Sequence, residues 1–409
     1  MLVPPRDPEA LAREVNALLG DEIALTAMRK RAYIHCRHMV WSAVARSYLS
    51  VFDEVRNHVM PRRPQASALR RPISASNVPT PRIEHLARLC DDTGPAHHAR
   101  YTVPQWKHGY RLEDAAAYVV TCAKFNDVFS VPAAQRLTEV NVALLQTLIG
   151  DGTQVYEGLD YSRRPLGPAA PVGVGKALWA LGYLVQHPSS PLAQSAIDSF
   201  HDLIGRRTDL AEPRAAAYGA LGVANYLARF PGASEFKRLL GAYVECVRAV
   251  TREDWVEAWP AADWPLPVQV LSVAAVALQD PDLRKDADRT LEVLLERTGG
   301  GRQFMRERDG GDESPVSAAV FIDAVGAVFQ DRRDKTLLAP IRAAADWFLG
   351  ANQMGQSLYD FATGGCHDAL TPAGLNANEG TEASVFCLLS FLTLHKLAAV
   401  DAEGTPASG

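Results

Sequence analysis

At 409 residues, 47% apolar and 22% charged, the chain has a globular composition with room for one large domain and an appendage, which excludes disorder as the dominant state. A net charge of −5 leaves no basic excess for gripping phosphate backbones, so nucleic acid is not expected as a partner. No uninterrupted apolar run of about 18 residues stands out, and the opening MLVPPRDPEALA has neither a basic n-region nor an apolar h-region, so the expectation is a soluble, cytoplasmic chain without a membrane span.

Residues 8 to 57 read as three helices. Asp7-Pro8-Glu9 supplies a capping acid and a proline at the first helical position, and apolar residues recur at Leu11, Val15, Leu18 and Leu19. Leu25, Met28 and Ala32 continue the pattern, followed by Val40, Ala43, Val44, Tyr48 and Val51. Prolines, arginines and serines then break it over 59–81, which reads as a linker. The six cysteines are scattered without any C-x-x-C, so neither a disulfide framework nor a zinc cassette is indicated.

From about residue 82 helical hairpins repeat. Within each hairpin the joint is short and carries a breaker, as in Ser130-Val131-Pro132, Phe230-Pro231-Gly232 and Gln279-Asp280-Pro281. Between hairpins the connections are long: 151–172, 251–265, 298–314 and 352–379. In a ring of antiparallel helix pairs, such an alternation gathers all long connections at one mouth. Helix starts near 82, 111, 133, 173, 190, 213, 234, 266, 281, 315, 334 and 380 give about twelve helices, the number of an (α/α)6 toroid. The expected fold is therefore all-α, a toroid over 82–400 preceded by a short helical appendage over 1–58, with a disordered tail over 401–409. An irregular α-solenoid is the competing arrangement.

Aromatic, acidic and amide residues concentrate in the long connections. They suit a carbohydrate pocket, because sugars stack apolar faces on rings and hydrogen-bond to carboxylates and amides. Asp91, Asp92, His98, Tyr110, Trp255, Tyr359, Asp368, Asn376 and Glu382 are the candidate sugar contacts.

The segments LVPPRDPEALAREVNALL and RAYIHCRHMVWSAVARSYLSVFDEV resemble the last helices of the C-terminal lobe of GT-B group 1 glycosyltransferases. The segments at 85–110, 176–182, 213–222 and 348–384 resemble the (α/α)6 toroid fused behind such lobes in some bacterial glycosyltransferases. The resemblance implies a carbohydrate-active toroid acting on glycosidic bonds of an oligosaccharide or polysaccharide, with no cofactor. Its acid-rich pocket segments are altered here: the one after Gly109-Tyr110 reads Leu112-Glu113-Asp114-Ala115-Ala116-Ala117, and the one before KALWALG reads Ala170-Pro171-Val172-Gly173-Val174-Gly175-Lys176.

Glycosidic chemistry needs two carboxyls across one bond, one of them protonated at working pH. Glu113, Asp114 and Glu257 are the catalytic candidates, drawn from a wider set that includes Asp263, Glu313, Asp360 and Glu379. The alternative is a non-catalytic glycan-binding or scaffolding protein with a decayed site. With no βαβ series and no glycine-rich phosphate loop, the chain is not expected to bind a nucleotide-sugar by itself. One further expectation places Met1 inside a longer reading frame. Cys366-His367 lacks a third ligand from another segment, so no metal is expected.

Overall fold

The computed structural model describes residues 2–37, 39–58, 78–150, 152, 154–206, 210–251, 259, 262–304 and 311–403. The chain divides into two units, Met1–Arg62 and Arg63–Gly409. The first holds α1 (Pro8–Gly20), α2 (Glu22–Cys36) and α3 (Trp41–His58). Asp7 caps α1 by accepting from the Ala10 amide, and Asp21 caps α2 by accepting from Ile23 and Ala24. Among the described residues of this unit only Ala10 is buried.

The second unit is built from α4 (Glu84–Leu89), α5 (Leu112–Phe129), α6 (Pro132–Ile149), α7 (Pro171–Val185), α8 (Ala193–Gly205), α9 (Pro213–Arg229), α10 (Ser234–Ala249), α11 (Leu266–Leu278), α12 (Pro281–Arg297), α13 (Pro315–Arg332), α14 (Leu338–Phe348) and α15 (Thr381–Glu403). Helices α5, α7, α9, α11, α13 and α15 each pack on the next, and α15 packs back on α5, which closes a ring. Helices α6, α8, α10, α12, α14 and α4 pack outside them, one to each inner helix. This is the (α/α)6 toroid expected from the loop alternation.

Burial explains the sequence of each ring. An inner helix has neighbours on every side, so α7 is buried at every residue from Val172 to Val185. An outer helix buries one stripe: in α12 this is Leu283, Ala287, Thr290, Leu291 and Leu294, spaced to share one helical face. Proline occupies a first-turn position of α6, α7, α9, α11, α12 and α13, where its missing N–H costs nothing and its fixed φ suits the helix. Inner helices α5, α11 and α13 end on left-handed Ser130, Gln279 and Arg333, which turns the chain within a few residues into the outer partner.

All inner helices run in the same direction, with their N-termini at the long-connection mouth. The only described strands are three two-residue antiparallel pairs in those connections: β1 (Ala99–Arg100) with β2 (Val103–Pro104), β3 (Tyr110–Arg111) with β4 (Gly158–Leu159), and β5 (Leu370–Thr371) with β6 (Gly374–Leu375). Thr381–Val400 is long and apolar enough on average to cross a membrane, yet 78% of its most apolar window is buried in the ring. Its apolarity is that of an inner helix.

Candidate functional site

The first turns of the inner helices bring charged side chains from four separate segments together. Lys176, on the second turn of α7, is 2% exposed. Its ammonium donates to Glu113 Oε2 at 2.8 Å and lies 3.6 Å from Glu382 Oε1, so it joins the starts of α5 and α15. Burial opposes its charge, but Glu382, Glu113 and Asp263 together raise its pKa above the usual lysine value. Beside it the Arg214 guanidinium of α9 pairs with Asp263, which is fully buried and also accepts from the Tyr218 hydroxyl at 2.5 Å.

Glu113 and Glu382 share one lysine but are shifted in opposite directions. Burial pushes Glu113 up, yet Lys176 and Arg214 bring it below its ordinary value. Glu382 is raised, first by burial and then by Asp114, Asp263 and Glu113, against the pull of Lys176. Its side chain is nevertheless 51% open to solvent. The carboxyl therefore stays in contact with solvent at the mouth where the helix N-termini gather.

Asp368 stands on the 349–380 connection, where Gly380 N–H donates to its Oδ1 at 2.7 Å. Burial, with a contribution from Glu382, pushes its carboxyl up to about 6. It makes no ion pair among the described residues. The loop that carries His97 is fixed to α15 by the Thr381 hydroxyl, which donates to Ala96 O at 2.6 Å. His97 Nδ1 lies 2.7 Å from Asp114 Oδ2, and this bond raises the imidazole pKa despite burial. The exposed His98 ring sits 4.1 Å from His97, centroid to centroid, and 4.8 Å from His108. Burial and these two neighbours lower its pKa. The result is a histidine favouring its charged form beside one favouring its neutral form.

The remaining sequence candidates are placed differently. Asp91 shapes a turn, accepting from the Thr93 and Gly94 amides and, at 2.6 Å, from the Tyr110 hydroxyl. Asp92 is 81% exposed and pairs with Arg136 of α6. Tyr359 is buried edge-on against Phe361 and Phe391. Asn376 accepts from the Asn378 amide in a turn. Glu313 is buried under the mouth, where it accepts from Phe304 N–H and Trp347 Nε1–H, and Glu379 packs on His85 and accepts from Thr363. Trp255 and Glu257 lie outside the described residues. Buried Cys366 and its neighbour His367 gain no further ligand, and no group of three potential metal ligands occurs among the described residues.

Lys176 and Arg214 are the members that sequence reasoning passed over. A lysine inside PVGVGKALWALG reads as an interruption of an apolar helix. Its two carboxylate partners lie far away in the chain, so only the closed ring reveals what it does.

No family model matches the sequence, and no curated protein matches it. Solved structures do. A cellobiose 2-epimerase from Spirochaeta thermophila superposes with a TM-score of 0.59 at 14% identity, covering 78% of this chain and 93% of that one. A D-mannose isomerase gives 0.58 at 9% identity over 77% and 96%. A GH76 α-mannanase from Bacteroides thetaiotaomicron gives 0.50 at 9% identity over 72% and 88%. The shared feature is the (α/α)6 toroid. These structures are not transferases, and the likeness of residues 2–57 to a glycosyltransferase lobe gains no support from them.

Proposed function

We propose that the long-connection mouth is the active site of a carbohydrate-active enzyme that works by general acid–base catalysis on a sugar. The observation that carries this reading is the difference in setting between two carboxyls of one mouth: Asp368 has no ion-pair partner among the described residues and is raised to about 6, while Lys176, 3.6 Å from Glu382, favours the ionised form of that carboxyl. Such a difference separates acid and base roles near neutral pH. The parallel inner helices add their positive N-terminal ends to the same mouth, which favours negative charge developing on a sugar oxygen. The similar structures are named for enzymes of sugars, which supports the substrate class.

For glycosidic-bond cleavage, Asp368 donates its proton to the leaving oxygen, and Glu382 is the facing carboxylate. Burial raises both, and Lys176 favours the ionised form of Glu382, which makes Asp368 the acid of this reading. Glu113 acts through Lys176 as a positioning residue. The glycosyltransferase ancestry suggested by residues 2–57 is no part of this reading.

A second reading rests on the histidine pair. His98, kept neutral, takes a proton from the carbon beside a sugar carbonyl, and His97, kept charged by Asp114, returns one, which would epimerise or isomerise the sugar.

Incubation with gluco- and manno-oligosaccharides and with free aldoses in D2O separates the two. Cleavage without deuterium on carbon supports the first. An epimer or ketose carrying deuterium at the exchanged carbon supports the second. No turnover of any of these sugars would refute the proposal.

A further inference from the structure

The ring has a second mouth, where the inner helices end and the short turns lie. A cavity of about 400 Å³ opens there, lined by all six inner helices. That volume falls in the range of small-molecule sites. The cavity shares no lining residue with the acid–base cluster, so its role is independent of the function proposed for the long-connection mouth.

Its charges are already neutralised. The Lys124 ammonium donates to Thr393 Oγ1 at 2.8 Å and lies 3.8 Å from Asp323 Oδ1, and the Thr393 hydroxyl donates to the same carboxylate at 2.5 Å. Lys396 donates to the Tyr183 hydroxyl at 3.1 Å and to Asp127 Oδ2 at 3.4 Å. Burial also lowers the pKa of Lys124. The C-terminal ends of six parallel helices add negative partial charge here, which disfavours an anion.

The rest of the lining mixes apolar side chains, among them Val120, Leu221 and Val273, with neutral amides. Asn225, Gln269 and Gln330 line the cavity, and their side chains have no hydrogen-bond partner among the described residues. An amide offers a donor and an acceptor side by side, the pairing that hydroxyl groups satisfy. Trp179 and Tyr183 also reach the cavity wall, though both are buried and Lys396 lies over the Tyr183 ring, so the amides are the groups that face a ligand.

We propose that this cavity is a binding site for a neutral polyhydroxylated molecule the size of a mono- or disaccharide. Amides from α9, α11 and α13 take its hydroxyls, and the apolar side chains between them take its C–H faces.

The test is calorimetric titration of the full chain with D-glucose, D-mannose, cellobiose and, as an anionic probe, D-glucuronate. Asp368→Asn protein is used, so that cleavage at the other mouth cannot contribute heat, and Asn225→Leu and Gln269→Leu are added to it singly. The expected result is saturable binding of at least one neutral sugar, weaker by about tenfold in each leucine variant, the cost of leaving hydroxyls unpaired, with glucuronate weaker than glucose. Crystals of the Asp368→Asn protein soaked in the bound sugar should show it between Asn225 and Gln269, which decides the matter even if a leucine variant fails to fold. No saturable binding, binding indifferent to both leucines, tighter binding of glucuronate, or sugar seen only at the long-connection mouth would each overturn the proposal.

Discussion

Asp368 carries opposite consequences for activity and stability. Its carboxyl is raised from 3.8 to about 6, so the folded state prefers it protonated. The sign follows from linkage: the fold has no penalty below pH about 4, loses stability as the group ionises between about 4 and 6, and carries the full cost at neutral pH. Asp368→Asn, which keeps the acceptor for Gly380 N–H, removes that cost. Thermal unfolding should therefore show the variant more stable than the parent at pH 7, by at most about 3 kcal/mol, and equal to it near pH 4. The same variant should lose the activity, and the parent's rate should fall as pH rises through about 6. A variant destabilised equally at both pH values would show that the shift is not present.

Lys176 is the reverse case. Removing one partner of a buried ion pair strands the others, so Lys176→Met should cost about 3–5 kcal/mol. Glu113 is depressed by this lysine, so its contribution exists above its ordinary value of 4.5 and is lost as pH falls below it. The destabilisation measured by denaturant titration should accordingly be largest near neutral pH and shrink in acid. An effect that grows in acid would count against the clamp.

At the scale of elements, α7 and α9 cross so closely that backbone touches backbone. A Cβ on Gly182 would lie 2.2 Å from Gly222 O, and one on Gly222 would lie 2.3 Å from Leu178 O. Neither obstacle is a side chain that can turn away. Gly222→Ala should destabilise by about 1–3 kcal/mol, or more if the helices cannot separate. Gly241, inside α10, has nothing within 4 Å of its missing Cβ, and Gly241→Ala should stabilise by up to about 1 kcal/mol through helix propensity. Chemical denaturation of the two variants, with shifts in opposite directions, checks both.

Helix boundaries were legible for the same local reasons. Asp280-Pro281 and Ser314-Pro315 each place a cap before a first-turn proline, and such signals act over a few residues. The ring could be read from loop lengths because closure forces long and short connections to opposite ends. The site was legible only in part. Glu113, Asp114 and Glu382 could be found because they begin inner helices. Asp91, Asp92 and Asn376 occupy similar helix ends and connections, and in the fold they bond within turns or to a surface arginine. What separates the two groups is which side of the ring a first turn faces, and that is set by packing between helices distant in sequence.

For the whole molecule, the decisive fact is that six inner helices point the same way, so the two mouths differ in electrostatics as well as in loops. One mouth collects N-termini, acids, a buried lysine and a histidine pair. The other collects C-termini, balanced charges and amides. We assign proton transfer on a sugar to the first and neutral sugar binding to the second. The central claim, acid–base chemistry at the long-connection mouth, is tested most directly by product analysis of the parent and Asp368→Asn proteins on gluco- and manno-oligosaccharides and free aldoses in D2O. The expected result is cleavage of an oligosaccharide by the parent, without deuterium on carbon, and at least a hundredfold loss of it in Asp368→Asn, roughly the low end of what a positioned acid contributes. Undiminished turnover in Asp368→Asn, or no turnover of any of these sugars by the parent, would contradict it.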